Sequence, residues 1–335
     1  MPCHDPLDRH RRVHRFHTAI SGPPASRVPN LSGQYTGTYR SRDAATSASV
    51  AASAGCPLID TAPVYGKGSH QSAIAPVLQA NPDLKVSSKV GYMTPGQATV
   101  ALTSGALAPD EAKFLHSISP EYVRHQVAMS RVELRRDQLD IVYLHNPEHH
   151  YKERGDLHSR IWEAFSVLEE EVSRGTIRGY GVSTWTGFES EAFTVRDLTL
   201  LAREAAGEAE PSLTAIQLPV SMVRINAVRQ SLARKGPIAE GAEAGLDSWA
   251  SAPLHGGELA QLIRPKLAEA VSPGASGIAA ALKFVASVSG LTGMLISSTN
   301  ASHWQEAAEA IRDPLPETRL KELCELLDPA PERPH

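Results

Sequence analysis

Short apolar runs recur along this chain, separated by longer stretches whose apolar positions fall three and four residues apart. The runs predict strands near 34–38, 57–60, 84–89, 139–145, 177–183, 213–217, 246–251 and 292–297. The stretches predict helices near 42–54, 69–79, 119–134, 157–174, 189–206, 222–234, 258–270 and 275–287, with two more at 301–312 and 315–327. Strands alternating with helices in this number predict the α/β class: a single (β/α)8 TIM barrel over residues 30–330, with extra C-terminal helices. Ser119 as N-cap and Pro120 at the first helical position mark one helix start clearly.

Residues 1–29 break the pattern. They are rich in Arg and His, lack a clean period, and run into Gly22-Pro23-Pro24. His4, His10, His14 and His17 share no fixed ligand spacing, so the segment reads as a solvated extension or a cover on the barrel floor rather than a metal or anion site. Two connections are long. Tyr92–Ser117 follows the third strand candidate and Ser221–Gly245 follows the sixth. In a βα barrel both would emerge on the face that carries the chemistry, and the first is expected to touch substrate.

Composition narrows the class. Hydrophobic residues make up 41% of the 335, enough for a full core, and the net charge of −4 shows no basic stripe. That predicts no nucleic-acid partner and no membrane-surface role. No apolar run approaches the ~18 residues of a membrane span, and the N-terminal charges precede no apolar core of a secretory leader. Cys3, Cys56 and Cys324 are odd in number and far apart, with no metal-ligand spacing, so the reduced cytoplasm is the expected compartment.

The candidate chemistry sits at strand ends. Asp60 closes Pro57-Leu58-Ile59-Asp60, Tyr65 follows five residues on, Lys89 closes Leu84–Lys89, and His145 closes Leu139–His145. Polar side chains at the carboxyl ends of successive strands are the layout of a βα-barrel active site. A phenol is a poor acid at neutral pH unless a nearby cation lowers its pKa, and lysine can be that cation. Asp60 can hold the lysine charged, and His145 can hydrogen-bond a substrate oxygen. The set therefore predicts proton donation to a carbonyl, with Tyr65 as the general acid.

At these residues the chain resembles the aldo-keto reductase family. The matching segments are Ile59-Asp60-Thr61-Ala62 with Tyr65-Gly66, Ser87-Ser88-Lys89, Asp140–His145, Arg178–Ser183, Ala215-Ile216-Gln217 and Ala252-Pro253-Leu254. They occur in order and span about residues 30–312. The resemblance implies reduction of an aldehyde or ketone by a nicotinamide cofactor, or oxidation of an alcohol or sugar hemiacetal by the same residues. It implies Asp60, Tyr65, Lys89 and His145 as the catalytic set, and Ser183, Thr184 and Gln217 against the nicotinamide carboxamide. It implies Ser251, Pro253, Leu254, Ser297, Thr299, Asn300 and His303 along the pyrophosphate and adenosine. There is no G-x-G-x-x-G fingerprint, so a Rossmann site is not expected.

Departures mark a divergent member. Thr184 stands where the family usually has Asn, Ser251 where it often has an aromatic, and Ser297 where it commonly has Gly. No Arg or Lys occurs in 298–303 to meet a 2′-phosphate; only His303 can carry positive charge there. NADP(H) is expected by family habit, with NAD(H) as the alternative. His145-Asn146-Pro147-Glu148 resembles the sugar-dehydrogenase branch, while Tyr92, Trp185 and Trp249 suggest an apolar or ring-containing substrate. Two other readings use the same scaffold: a nucleotide-binding interaction barrel without turnover, and a non-redox lyase or isomerase.

Overall fold

The computed structural model describes residues 17–20, 41–151 and 153–327. Eight parallel strands close into a barrel in sequence order. They are β1 (His17–Ile20), β2 (Leu58–Asp60), β3 (Lys85–Val90), β4 (Ile141–His145), β5 (Tyr180–Ser183), β6 (Leu213–Pro219), β7 (Asp247–Ser251) and β8 (Gly293–Ile296). β1 pairs with both β2 and β8, which shuts the ring. Strands β2 to β8 are largely buried on both faces, as parallel barrels require, and this is why they read as apolar runs rather than as clean alternations.

The first strand departs from the expectation. It lies at His17–Ile20, inside the segment 1–29 that was read as an extension outside the barrel. The expected strand at 34–38 lies outside the described residues, as do His4, His10 and His14. Thr18 and Ile20 are β-branched, which suits His17–Ile20 to a strand.

The helical ring also corrects its boundaries. The stretch 222–234 holds Asn226–Leu232, and a second helix, Gly236–Glu243, fills most of the supposed loop to Gly245. The stretch 258–270 splits into Leu259–Leu262 and Pro265–Val271, because Pro265 cannot continue a helix. The helix expected from 189 starts at Val195, where Thr194 and Asp197 form a reciprocal capping box. Ala301–Arg312 is the helix that follows β8 and completes the ring, so of the two C-terminal helices expected as extra only Glu317–Leu327 is additional. That last helix docks through buried Leu320, Leu323 and Cys324, and Arg229 donates to the Cys324 carbonyl at 2.9 Å.

Alternation along the strands decides what enters the barrel. Ser88 points out to the helices, donating to Gln71 at 3.0 Å, while Ser87 and Lys89 on either side point in and reach Asp60. Tyr143 also points in, fully buried, and Gly181 makes room for it. A Cβ at Gly181 would lie 2.7 Å from the Tyr143 ring and 2.3 Å from the Ala215 carbonyl oxygen. Any larger residue there would displace either the phenol or β6.

Candidate active site

Asp60, Tyr65, Lys89 and His145 converge at the carboxyl end of the barrel. Asp60 ends β2, Lys89 is the penultimate residue of β3, and His145 ends β4. Tyr65 follows on a short 3-10 turn, Tyr65–Gly68. The Lys89 ammonium pairs with Asp60 Oδ2 and donates to the Thr61 carbonyl at 3.0 Å. It lies 5.1 Å from the centroid of the Tyr65 ring. The Tyr65 ring in turn meets the His145 imidazole edge-on, with centroids 6.0 Å apart.

The second Asp60 oxygen is equally committed. Oδ1 accepts from Ser87 Oγ at 2.7 Å and from Gln217 Nε2 at 3.2 Å. Gln217 Oε1 accepts from Ser183 Oγ at 2.7 Å. One carboxylate therefore ties the lysine to the two side chains expected at the nicotinamide. Charged groups this deep are tolerated only when paired and hydrogen-bonded, and this pair meets both conditions. Desolvation pulls the Lys89 ammonium below the usual lysine range, and Asp60 opposes that pull.

Burial also sets the charge of the histidines. Desolvation, with repulsion from Lys89 next, holds the His145 imidazole well below the usual histidine range. It is neutral near pH 7 and can donate one N–H hydrogen bond to a substrate oxygen. His116, whose Nε2 lies 2.9 Å from the His145 carbonyl oxygen, is pushed by burial down to about 3. His70, bonded to Thr61 Oγ1 at 2.7 Å, is held at about 4, by burial first and by Lys89 second.

These shifts make acid stability measurable. The folded pKa values lie below the unfolded value near 6.5, so below pH 6.5 the unfolded chain binds protons that the folded chain refuses. Stability is therefore complete above pH 6.5 and falls as the pH drops toward 4. Each such proton is worth about 1.4 kcal/mol per pH unit. Urea titrations at pH 7 and pH 5 should show a clear drop in midpoint, with proton uptake on unfolding. Equal midpoints would contradict the burial of these three imidazoles.

The remaining expected cofactor residues lie at the ends of the neighbouring strands β7 and β8. Ser251 ends β7, and buried Pro253 and half-buried Leu254 follow it. Past β8, Ser47 Oγ lies 3.3 Å from Ser297 Oγ and donates to the Ser298 carbonyl at 3.1 Å, so the helix Ser41–Ser53 pins this exit. His303 Nδ1 bonds Ser298 Oγ at 2.8 Å, Thr299 is exposed, and Asn300 caps the helix Ala301–Arg312 by accepting from Ser302 N at 3.0 Å. Small residues beside a helix N-terminus suit a pyrophosphate. Thr184 is different. Its hydroxyl donates to Glu148 Oε1 at 2.6 Å and accepts from Gly187 N at 2.7 Å, which commits it to the loop after β5.

Some participants were missed in the sequence. Ser87 was within reach, since alternation places it on the face of Lys89. Thr61 acts through its carbonyl and His116 through a loop contact, neither of which leaves a sequence signature. Tyr92, one of the three aromatics that suggested an apolar or ring-containing substrate, has its hydroxyl bonded to His149 Nδ1 at 2.5 Å. Trp185 stacks with the Arg224 guanidinium at 5.3 Å, and Trp249 is buried within β7. Among the described residues no helix is long and apolar enough to cross a membrane.

A D-threo-aldose 1-dehydrogenase from Pseudomonas sp is 30% identical over 179 residues, covering 48% of this chain and 52% of that protein, so the match spans about half of that relative. A 6-dehydroglucose reductase from Novosphingobium aromaticivorans is 26% identical over 284 residues, 81% of each chain. Among solved structures, the glycerol dehydrogenase from Gluconobacter oxydans superposes with a TM-score of 0.64 at 19% identity, covering 95% of this chain and 94% of that one. A thermostable aldo-keto reductase solved with the inhibitor epalrestat gives 0.63 at 18%, covering 92% and 94%. These structural likenesses speak to the barrel alone. The sequence profile of the Aldo/keto reductase family matches residues 30–328, most of the chain, and the chain belongs to that family.

Proposed function

We propose that the protein is an NAD(P)H-dependent oxidoreductase that reduces an aldehyde or ketone, or oxidises the corresponding alcohol or sugar hemiacetal. The observation that carries this reading is the Lys89–Asp60 pair, buried against the Tyr65 ring and joined through Gln217 to Ser183. Bound nicotinamide supplies or accepts the hydride. Tyr65 gives its phenolic proton to the carbonyl oxygen in reduction and takes it back in oxidation. The Lys89 charge stabilises the phenolate left behind, and Asp60 keeps that charge in place. Neutral His145 donates a hydrogen bond that orients the oxygen. Ser183 and Gln217 present a hydroxyl and an amide suited to a carboxamide, and the ends of β7 and β8 suit the rest of the dinucleotide. Sugar-acting names among the relatives favour a hydroxylated substrate.

Steady-state turnover of a carbonyl and aldose panel with NADPH and NADH tests the reading; no turnover with either cofactor would sink it. The cofactor preference is expected to be for NADP(H), by a modest margin, since Thr299 and Asn300 offer only neutral hydrogen bonds. Charge-assisted bonds are about twice as strong as neutral ones. His303→Arg should therefore raise the NADP(H) over NAD(H) ratio of kcat/KM by about 10-fold. An unchanged ratio would place the 2′-phosphate away from this helix.

A further inference from the structure

Lys89 and Tyr143 are register partners on β3 and β4, and both side chains point into the barrel. The register partner of Tyr143 on β5 is Gly181. Tyr143 is therefore flanked by a cation on one side and by a residue with no side chain on the other. Its ring takes up the space that the glycine leaves: a Cβ there would lie 2.7 and 2.8 Å from two ring carbons. The Lys89 ammonium lies over this ring, 6.0 Å from the centroid, as it lies over the Tyr65 ring at 5.1 Å. Two aromatic faces thus border one buried cation.

The face is what Tyr143 offers. Its hydroxyl is buried and has no hydrogen-bond partner among the described residues. Burial first, then Asp60 and Asp247, push that hydroxyl well above the usual tyrosine range, so it is a neutral phenol near pH 7. The negative charge beside the ammonium comes from Asp60, whose carboxylate also serves Ser87 and Gln217. His145 and His70 feel the lysine charge but are neutral near pH 7, and the Thr61 carbonyl adds a neutral acceptor. A desolvated cation gains from an aromatic face without being neutralised by it. A second carboxylate in place of the ring would make the site net negative and oppose formation of a phenolate at Tyr65.

Resting on the proton-transfer reading above, we propose that Tyr143 is a positioning residue for the reaction: its ring face, together with that of Tyr65, keeps the Lys89 ammonium charged and seated beside the catalytic phenol. Tyr143 touches neither substrate nor cofactor in this role. It acts through the lysine.

The pH profile of kcat/KM for a carbonyl, measured with saturating NADPH, tests this. Its alkaline limb marks loss of the first proton from the coupled Tyr65–Lys89 pair. A weaker face makes the ammonium easier to deprotonate, so the limb moves to lower pH. Tyr143→Leu should lower it by about one pH unit. Tyr143→Phe keeps the face and should keep the limb at the wild-type position. Phenylalanine analogues carrying one, two and three ring fluorines, incorporated at position 143, hold the shape of the ring while drawing electron density from its face. The limb should step down with each fluorine. Its position on the pH axis does not depend on the amount of active protein, and a packing role alone would not follow the fluorine count. A limb that stays still through the fluorinated series overturns the proposal, whatever the Leu variant does. Absence of turnover by the wild-type protein with any carbonyl and either nicotinamide overturns the reading of function, and this inference with it.

Discussion

Tyr65→Phe should lower kcat by about 10² to 10⁴, the usual worth of a general acid–base group, while nicotinamide affinity stays close to that of the wild type. The substitution removes one oxygen and leaves the ring. The ring contacts with His145 at 6.0 Å and His70 at 6.2 Å survive, as does the 5.1 Å approach of the Lys89 ammonium. Ser183 and Gln217 lie on β5 and β6 and do not depend on the phenol oxygen. Steady-state kinetics and a fluorescence titration with NADPH measure the two quantities separately. A variant with kcat within about threefold of wild type would remove Tyr65 from the mechanism, because general acid catalysis carries more than that. Loss of cofactor affinity in parallel with kcat would instead make the tyrosine a packing residue.

The convergence of Asp60, Lys89 and His145 was legible because each ends a short apolar run, and a parallel barrel delivers such ends to one face; Tyr65 follows β2 on a turn. The family resemblance placed Ser251 and Ser297 at the exits of β7 and β8. It failed at the first strand, where Gly33 and Gly37 looked like family landmarks while the ring is closed by His17–Ile20. A four-residue strand in an Arg- and His-rich segment gives almost no periodic signal. Helix boundaries slipped where proline or a capping box decided them, as at Pro265 and Thr194. Side-chain partnerships were least legible of all. Nothing in the sequence says that Thr184 turns to Glu148, or that Tyr92 shares its hydroxyl with His149, because these bonds join segments 36 and 57 residues apart.

The buried ion pair should separate structural from catalytic roles. Lys89→Met leaves the Asp60 carboxylate almost fully buried, with only Ser87 and Gln217 donating to it. Asp60→Asn leaves the ammonium without a counter-charge, with only neutral partners around it: an amide oxygen, the Thr61 carbonyl and ring faces. Removing one partner of a buried pair costs about 3–5 kcal/mol, since an uncompensated charge remains. The double variant Asp60→Asn/Lys89→Met leaves no such charge, so its loss of stability should be well below the sum of the single losses. Activity should not follow. Lys89→Met removes the charge that stabilises the Tyr65 phenolate, and Asp60→Asn removes the carboxylate that keeps that charge in place, so all three variants should be deficient in kcat, with effects that do not add. Urea unfolding and kinetics on the four proteins complete the cycle. Stability losses that simply add would mean the two groups are not coupled in the folded protein. Recovery of kcat in the double variant would mean that the lysine is structural, and that the tyrosine finds its proton-transfer partner elsewhere.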